Sequence, residues 1–167
     1  MSKVWFITGT SKGFGRVWAE AALERGDRVA ATARSTATLD DLATAYSDAV
    51  LPLAMDVTDK AAVADAVEQA VAHFGRLDVV VNNAGYAQVG AIKELTERDL
   101  RDQMETNLFG AVWVVQAVLP HLRAQGSGHI VQLSSAAGLI AGRIFAARCP
   151  CAAICGAGYR FSQPTIT

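Results

Sequence analysis

Three glycines near the start of the chain are the first residues whose type and spacing could do chemistry. The segment TGTSKGFG, Thr8 to Gly15, has glycines at positions 9, 13 and 15, between a β-branched and aromatic run (residues 3–9) and a helical pattern (residues 15–26). The backbone N–H groups and dipole at a helix N-terminus favour a phosphate, and glycine lets the backbone approach it closely. The order G-x-x-x-G-x-G differs from the commoner G-x-G-x-x-G, so the glycines alone also fit an ordinary tight turn. Their place between a first strand and a first helix favours a phosphate loop.

Positive charge follows the second predicted strand, where an acidic residue would be expected for NAD. An NAD-binding sheet usually places Asp or Glu at this point to hold the ribose 2'-hydroxyl, whereas an arginine accommodates a 2'-phosphate. Here the strand RVAATA (residues 28–33) ends in Ala33 and is followed by Arg34, and Lys12 lies in the glycine loop. The two cations predict NADP as the cofactor, with NAD possible. The alternative is that both are ordinary solvated surface charges.

The elements that must position these residues alternate along the chain. We predict strands at residues 3–9, 28–33, 50–57, 77–85 and 128–135, and helices at about 15–26, 36–46, 58–75 and 97–125. Five strands joined by helices predict an α/β fold with a Rossmann-type, doubly wound parallel sheet in three αβα layers.

Three helices carry more detailed predictions. In the first helix, Val17, Ala21 and Leu23 to Glu24 lie near helical spacing, and Gly26 is expected to end the helix. The 58–75 helix has Thr58 or Asp59 as its cap and Gly75 as its stop, and its apolar face comprises Val63, Val67, Ala70, Val71 and Phe74. The long 97–125 helix is expected to bend near Pro120.

Composition excludes several classes of function. The 167 residues are 51% hydrophobic and 19% charged with a formal net charge of -1, and no basic run occurs. A nucleic-acid or anionic-membrane partner needs a concentrated positive face, so neither is expected. No apolar stretch reaches the roughly 20 residues of a membrane span and no signal-peptide pattern occurs, which predicts a cytoplasmic protein.

The cysteines and histidines could suggest a metal site. Cys149, Cys151 and Cys155 are the three cysteines of the chain, and no histidine follows His129. A closed zinc site needs four ligands, so we predict no metal site. The three histidines are expected at the surface or at helix ends, and Trp5, Trp18 and Trp113 in the core.

Several short motifs together resemble the short-chain dehydrogenase/reductase family. They are TGTSKGFG after the first strand, Asp56 and Val57 after the third, NNAG (Asn82 to Gly85) after the fourth, Asn107 in the long helix, and Ser134 and Ser135 after the fifth. Their order and spacing match the family from about residue 2 to residue 140.

The resemblance implies a role for each matching residue. The glycine loop would hold the pyrophosphate and ribose, Lys12 and Arg34 the 2'-phosphate, Asp56 and Val57 the adenine, and Asn83 to Gly85 the adenosine ribose and nicotinamide side. Asn82 would tie the central strands together. The cofactor-binding residues implied are Gly9, Ser11, Lys12, Gly13, Phe14, Gly15, Arg34, Asp56, Val57, Asn83, Ala84 and Gly85.

The catalytic residues implied are Asn107, which would organise a proton-relay water, and Ser135, which would hydrogen-bond the substrate carbonyl or hydroxyl. The family also needs a tyrosine about thirteen residues after the serine and a lysine four residues later, where this chain has Arg148 and Ala152. An arginine cannot donate a proton near neutral pH because its pKa lies above about 12. Tyr159 lies 24 residues after Ser135, and no lysine follows Lys93. The pair is therefore absent, not displaced.

The resemblance implies hydride transfer between NADP(H) and a small-molecule carbonyl or secondary alcohol, with little or no turnover in a chain lacking this pair. We expect residues 1–142 to form an incomplete dinucleotide-binding domain and residues 143–167 an aberrant tail, from a gene truncated or frameshifted near Arg143. Without the family's last strands and helices, residues 128–135 would be an exposed apolar edge strand, and the family's usual homo-oligomer contact would be incomplete. A catalytically dead NADP-binding module and a nonfunctional fragment are the alternatives.

Overall fold

The fold is built on one mostly parallel sheet. The computed structural model describes residues 2–88 and 93–135, and the backbone of 160–161. Its strands are β1 (Val4–Ile7), β2 (Arg28–Ala33), β3 (Val50–Ala54), β4 (Val79–Asn82), β5 (Gly128–Gln132) and β6 (Arg160–Phe161). The sheet order is β3-β2-β1-β4-β5-β6, with β1 to β5 parallel and β6 antiparallel to β5. This confirms the predicted doubly wound parallel sheet.

Helices connect the strands at nearly the predicted places. They are α1 (Gly13–Glu24), α2 (Asp40–Tyr46), α3 (Lys60–Phe74), α4 (Glu97–Met104) and α5 (Gly110–Gln125). Short 3-10 turns at Thr36–Leu39 and Ser47–Ala49 flank α2, and a π-helical turn at Glu105–Phe109 joins α4 to α5.

Two separate apolar cores lie on the two faces of the sheet. Successive strand side chains point to opposite faces, so Phe6 packs with residues of α3 and α5, whereas Ile7 packs with residues of α1 and α2. The same alternation divides Val80 from Val79 and Val81 in β4. Helices on both faces explain why β4 is continuously apolar.

The buried stripe of α1 differs from the spacing noted in the sequence. Leu23 is buried, but Val17 is 56% exposed, and Ala19 and Ala22 are buried instead. Gly15 is also buried, and a Cβ there would overlap the carbonyl of Gly9 and the side chain of Asn83.

The predicted boundaries of α3 are correct. Asp59, one of the two expected caps, accepts hydrogen bonds from the amides of Ala61 (2.9 Å) and Ala62 (3.1 Å). Gly75 ends the helix with a φ of +79°.

The long helix departs from α-helical geometry at a different place from the one expected. The π-helical turn lies at Glu105–Phe109 and contains Asn107, whereas Pro120 lies inside α5. The irregular turn therefore coincides with a candidate catalytic residue.

The outer edge of β5 is partly covered. β6 pairs with it through Phe161 opposite Gly128 and Arg160 opposite His129. The prediction that residues 128–135 form an edge strand is therefore wrong at Gly128 and His129, where β6 pairs with β5. The predicted exposure of apolar side chains is seen farther along, where Val131 is 46% and Leu133 40% exposed. The rest of the predicted aberrant tail, its three cysteines and Tyr159 lie outside the described residues.

Candidate functional site

The loops that follow the five parallel strands carry nearly all the candidate residues. Because the strands run the same way, their carboxyl ends meet at one edge of the sheet. The glycine loop follows β1, Arg34 follows β2, Asp56 and Val57 follow β3, Asn83 to Gly85 follow β4, and Ser135 follows β5. The chain turns from one side of the sheet to the other between β1 and β4, which is where such sheets bind nucleotides.

The loop between β1 and α1 needs glycine for two reasons. Gly9 and Gly13 have φ values of +72° and +64°, in the left-handed region. A Cβ at Gly15 would overlap the side chain of Asn83 and the carbonyl of Gly9. At Lys12, the N-cap of α1, no side chain caps the helix, and its first turn has no acidic residue. The first amides of α1 are therefore available to an anion.

Thr8 connects this loop to the turn after β4. Its buried hydroxyl accepts hydrogen bonds from the amides of Asn83 and Ala84, both at 2.9 Å, and donates to the Val81 carbonyl at 3.3 Å. Sequence reasoning did not single out Thr8. Its place at the end of a buried strand, directly before the first glycine, is the sequence signal that could have identified it as a residue of the site.

The connection between the central strands is made by Asn83 and not, as expected, by Asn82. Asn82, expected to tie the central strands together, instead donates its side-chain amide to the carbonyl of Ala111 in α5, at 3.2 Å. Asn83 makes the connection to β1, because its side chain donates to the carbonyls of Thr8 (2.8 Å) and Gly9 (3.1 Å). Asn83 therefore fixes the shape of the glycine loop, whereas Asn82 anchors α5.

Asn107 holds the segment that follows the NNAG turn. Its side-chain oxygen accepts from the Tyr86 amide at 3.0 Å, and its side-chain nitrogen donates to the Tyr86 carbonyl at 2.7 Å. A Cβ at Gly85 would lie 2.9 Å from this side-chain oxygen, so glycine is needed for the close approach. The π-helical turn thus brings Asn107 to the carboxyl edge of the sheet.

Among the described residues, Tyr86 is the tyrosine held in this arrangement, but its environment does not activate its hydroxyl. Burial, and to a smaller extent the negative charges of Asp102 and Asp99, raise the pKa of its hydroxyl above the ordinary value. A general acid and base near neutral pH needs the opposite shift. Tyr86 is therefore no substitute for the missing family tyrosine.

Lys12 and Arg34 are exposed, and within residues 2–88 and 93–135 neither makes an ion pair. They follow neighbouring strands, since β1 and β2 are paired up to Ile7 and Ala31. Arg16, by contrast, is neutralised by Glu20 at 2.7 Å and by Asp41. Two exposed cations without an ion pair in the described residues therefore follow these two neighbouring strands.

Ser11 and Phe14 complete the glycine loop. Both are exposed, and the ring of Phe14, 68% exposed, stacks on Trp18 with centroids 5.7 Å apart. The three tryptophans expected in the core are each only partly buried.

Asp56 and Val57 form the start of the turn between β3 and α3. The exposed carboxylate of Asp56 accepts from the amide (2.9 Å) and hydroxyl (2.8 Å) of Thr58, which fixes the turn. Val57 is buried beneath the first residue of α5, Gly110.

Ser134 and Ser135 are exposed just beyond β5, at the same edge as the other candidates. Arg148 and Ala152, at the family's tyrosine and lysine positions, lie outside the described residues.

Between residues 2 and 135, leaving aside 89–92, no group of three His, Cys, Asp or Glu side chains could hold a metal ion. None of the helices there is long and apolar enough to cross a bilayer.

Comparison with known proteins agrees with this geometry. The short chain dehydrogenase family model matches residues 3–148. The oxidoreductase BOA17 of Botryotinia fuckeliana is 50% identical over 141 residues, which cover 84% of this chain and 52% of that protein. The chain spans about half the length of the curated relatives it matches.

Two solved structures share the fold and also resemble this chain in sequence. A short-chain dehydrogenase from Streptomyces avermitilis has a TM-score of 0.87 and 46% identity, covering 92% of this chain and 56% of its own. A gluconate 5-dehydrogenase from Burkholderia cenocepacia, in complex with NADP and tartrate, has a TM-score of 0.85 and 27% identity, covering 92% of this chain and 62% of its own.

Proposed function

The chain belongs to the short-chain dehydrogenase family of oxidoreductases, and on that premise we propose that it binds NADP(H) at the carboxyl edge of its sheet. The observation that carries the proposal is the glycine loop that leads into α1. Thr8 and Asn83 fix this loop, no side chain caps the first amides of α1, and the first turn of α1 has no carboxylate. A side chain at Gly9 or Gly15 would crowd the loop against the NNAG turn, so the cradle depends on glycine.

The preference for NADP over NAD rests on charge. Lys12 and Arg34 are exposed cations without ionic partners in the described part of the chain, and the last residue of β2 is Ala33 where an acid would bind the 2'-hydroxyl. The relative from Burkholderia cenocepacia, whose structure contains NADP, supports the same choice.

The reaction proposed is transfer of a hydride between NADP(H) and a carbonyl or secondary alcohol. When bound, the nicotinamide supplies or accepts the hydride. Asn107 holds the Tyr86 backbone beside the site, and Ser135 would hydrogen-bond the substrate oxygen. Because Arg148 and Ala152 stand where the family has its acid and the lysine that lowers its pKa, this chain by itself should turn over little or no substrate. Loss of a general acid costs about 10² to 10⁴ in rate.

Titration with NADPH and NADH, read by nucleotide fluorescence and by a thermal melt, tests the proposal. We expect saturable binding, a raised melting temperature and a clear preference for NADPH. Lys12→Ala and Arg34→Ala should each weaken NADPH binding by about tenfold, the equivalent of ~1.4 kcal/mol, and leave NADH binding nearly unchanged.

Arg123→Ala is the matched control, because Arg123 is an exposed cation in the last turn of α5, away from the carboxyl edge. Equal affinity for the two cofactors would overturn the NADP preference. Absence of binding by either cofactor would overturn the proposed function itself.

A further inference from the structure

Gly110, the first residue of α5, lies in direct contact with the turn after β3. It is buried, and a Cβ added there would lie 2.8 Å from Val57 Cγ2, 2.9 Å from Val57 Cβ and 3.0 Å from the Val57 carbonyl oxygen. Its φ is about -55°, which any residue can adopt. Glycine is therefore needed here for close packing and not for backbone conformation.

The contact could not be relieved by a side-chain rotation. Valine is branched at Cβ and stiff at χ1, and one of the three contacting atoms is backbone. A methyl group at position 110 must therefore displace either the start of α5 or the turn that contains Val57.

The helix is the better anchored of the two. Val114, Val118 and Leu122 are almost completely buried, and Asn82 donates a hydrogen bond to the Ala111 carbonyl. The turn after β3 has fewer anchors: Met55 and Val57 are buried in the same core, but residues 56, 58 and 59 are exposed, and the Asp56 carboxylate bonds only within the turn, to Thr58. A methyl group at position 110 should therefore displace mainly the turn after β3 and not α5.

We infer that Gly110 is a positioning residue for the cofactor: by letting α5 touch Val57 it fixes the turn that faces the adenine. This inference rests on the proposed NADP(H) binding. Gly110 also directly follows the π-helical turn that contains Asn107. Its contact with Val57 therefore fixes the position of that turn relative to the turn after β3.

The experiment compares Gly110→Ala with the wild-type chain, using NADPH and adenosine 2',5'-bisphosphate as ligands. The second ligand contains the adenine half of the cofactor without the nicotinamide. We expect Gly110→Ala to weaken both ligands about tenfold and by equal factors, because the displaced turn contacts the shared half. A loss confined to NADPH would place the effect at Asn107 and overturn the assignment to Val57.

Val118→Ala is the matched control for stability, because it creates a cavity in the same helix without touching Val57. It should lower the melting temperature and leave both affinities within about twofold of the wild type. If Val118→Ala weakens binding as much as Gly110→Ala does, Gly110 acts only through general stability and the inference is wrong.

A double-mutant cycle with Val57→Ala tests the contact itself. Alanine removes the 2.8 Å contact with Val57 Cγ2 but keeps the Cβ and the carbonyl oxygen, so it relieves the crowding in part. The two substitutions together should therefore cost less affinity than the product of their separate effects. Independent effects would overturn the inference. If Gly110→Ala does not melt cooperatively, Val57→Ile crowds the same contact from the other side and is judged by the same ligands.

Failure of the inference and failure of the proposed function are distinguishable. Wild-type binding with an unaffected Gly110→Ala variant overturns the inference alone. A wild-type chain that binds neither ligand overturns both.

Discussion

Single residues at the carboxyl edge hold segments together that are far apart in sequence. The Thr8 hydroxyl accepts hydrogen bonds from two amides of the NNAG turn, about 75 residues away in sequence. The Asn107 side chain accepts from the Tyr86 amide and donates to the Tyr86 carbonyl. Each of these side chains therefore provides the hydrogen-bond partner that a neighbouring strand or helix would otherwise provide for these loop backbone groups. The shape of the site therefore depends on a few polar atoms more than on apolar packing.

Replacing Thr8 should show this directly. Thr8→Val keeps the volume but leaves the amides of Asn83 and Ala84 without an acceptor, so we expect a loss of about 2 kcal/mol in the free energy of unfolding. Thr8→Ser keeps the hydroxyl and should lose less than about 1 kcal/mol. Urea unfolding of the two variants measures the difference, and equal losses would show that the hydroxyl does not contribute.

Asp27 provides a residue whose effect should depend on pH. Burial by itself raises the pKa of this carboxyl, but hydrogen bonds from the Lys3 amide (2.9 Å) and the Trp5 indole (3.0 Å), with the charge of Arg25, outweigh it and lower the pKa. Because the folded-state pKa lies below the unfolded value of about 3.9, the stabilisation is complete above the unfolded pKa. It is lost as the pH falls through the folded-state pKa.

Asp27→Asn should therefore cost about 1.5 kcal/mol at pH 7, and the cost should shrink below about pH 4. Urea unfolding at several pH values measures it. Asp48→Asn, at an exposed position, should stay within about 0.5 kcal/mol throughout. A cost for Asp27→Asn that is the same at pH 7 and pH 3 would contradict the role of its charge.

At the scale of elements, local sequence signals predicted position well and orientation poorly. The cap and stop of α3 follow from residues within one turn of its ends, and Asp59 and Gly75 lie where such signals place them. The rotation of α1 and the π-helical turn between α4 and α5 depend on contacts with distant loops. The helical periodicity of apolar residues in the sequence does not report on those contacts.

The cap of α3 can be tested at this scale. Asp59→Ala removes the acceptor for the amides of Ala61 and Ala62, and it should lower the free energy of unfolding by about 1 kcal/mol. Asp65→Ala, an exposed substitution inside the same helix, should change it by less than about 0.5 kcal/mol. Thermal or urea unfolding distinguishes them, and equal effects would mean that Asp59 does not act as a cap.

At the scale of the whole molecule, exposed apolar side chains lie at the end of β5. Within the described residues β6 pairs with Gly128 and His129, and Val131 and Leu133 beyond them are exposed. An edge of this kind promotes association between sheets.

Val131→Lys should reduce association, because a charged side chain at a strand edge opposes pairing with another sheet. We expect less light scattering at a given protein concentration, with a change in the free energy of unfolding of less than about 0.5 kcal/mol. Gln116→Lys adds the same charge on the exposed surface of α5 and controls for net charge. Equal reductions by the two variants would show that charge alone, and not the β5 edge, limits association.

The sequence by itself determined the alternation of strands and helices, the glycine loop, the two cations beside it, and the residues at positions 148 and 152. Each of these is a property of residue type or of spacing within a short window. The tertiary structure decided the strand order, the connection to β1 by Asn83 in place of Asn82, the use of Thr8 as an acceptor and the contact of Gly110 with Val57. These arise where backbone groups from distant segments approach within hydrogen-bond or van der Waals distance, and that approach is set by the packing of helices on both faces of the sheet.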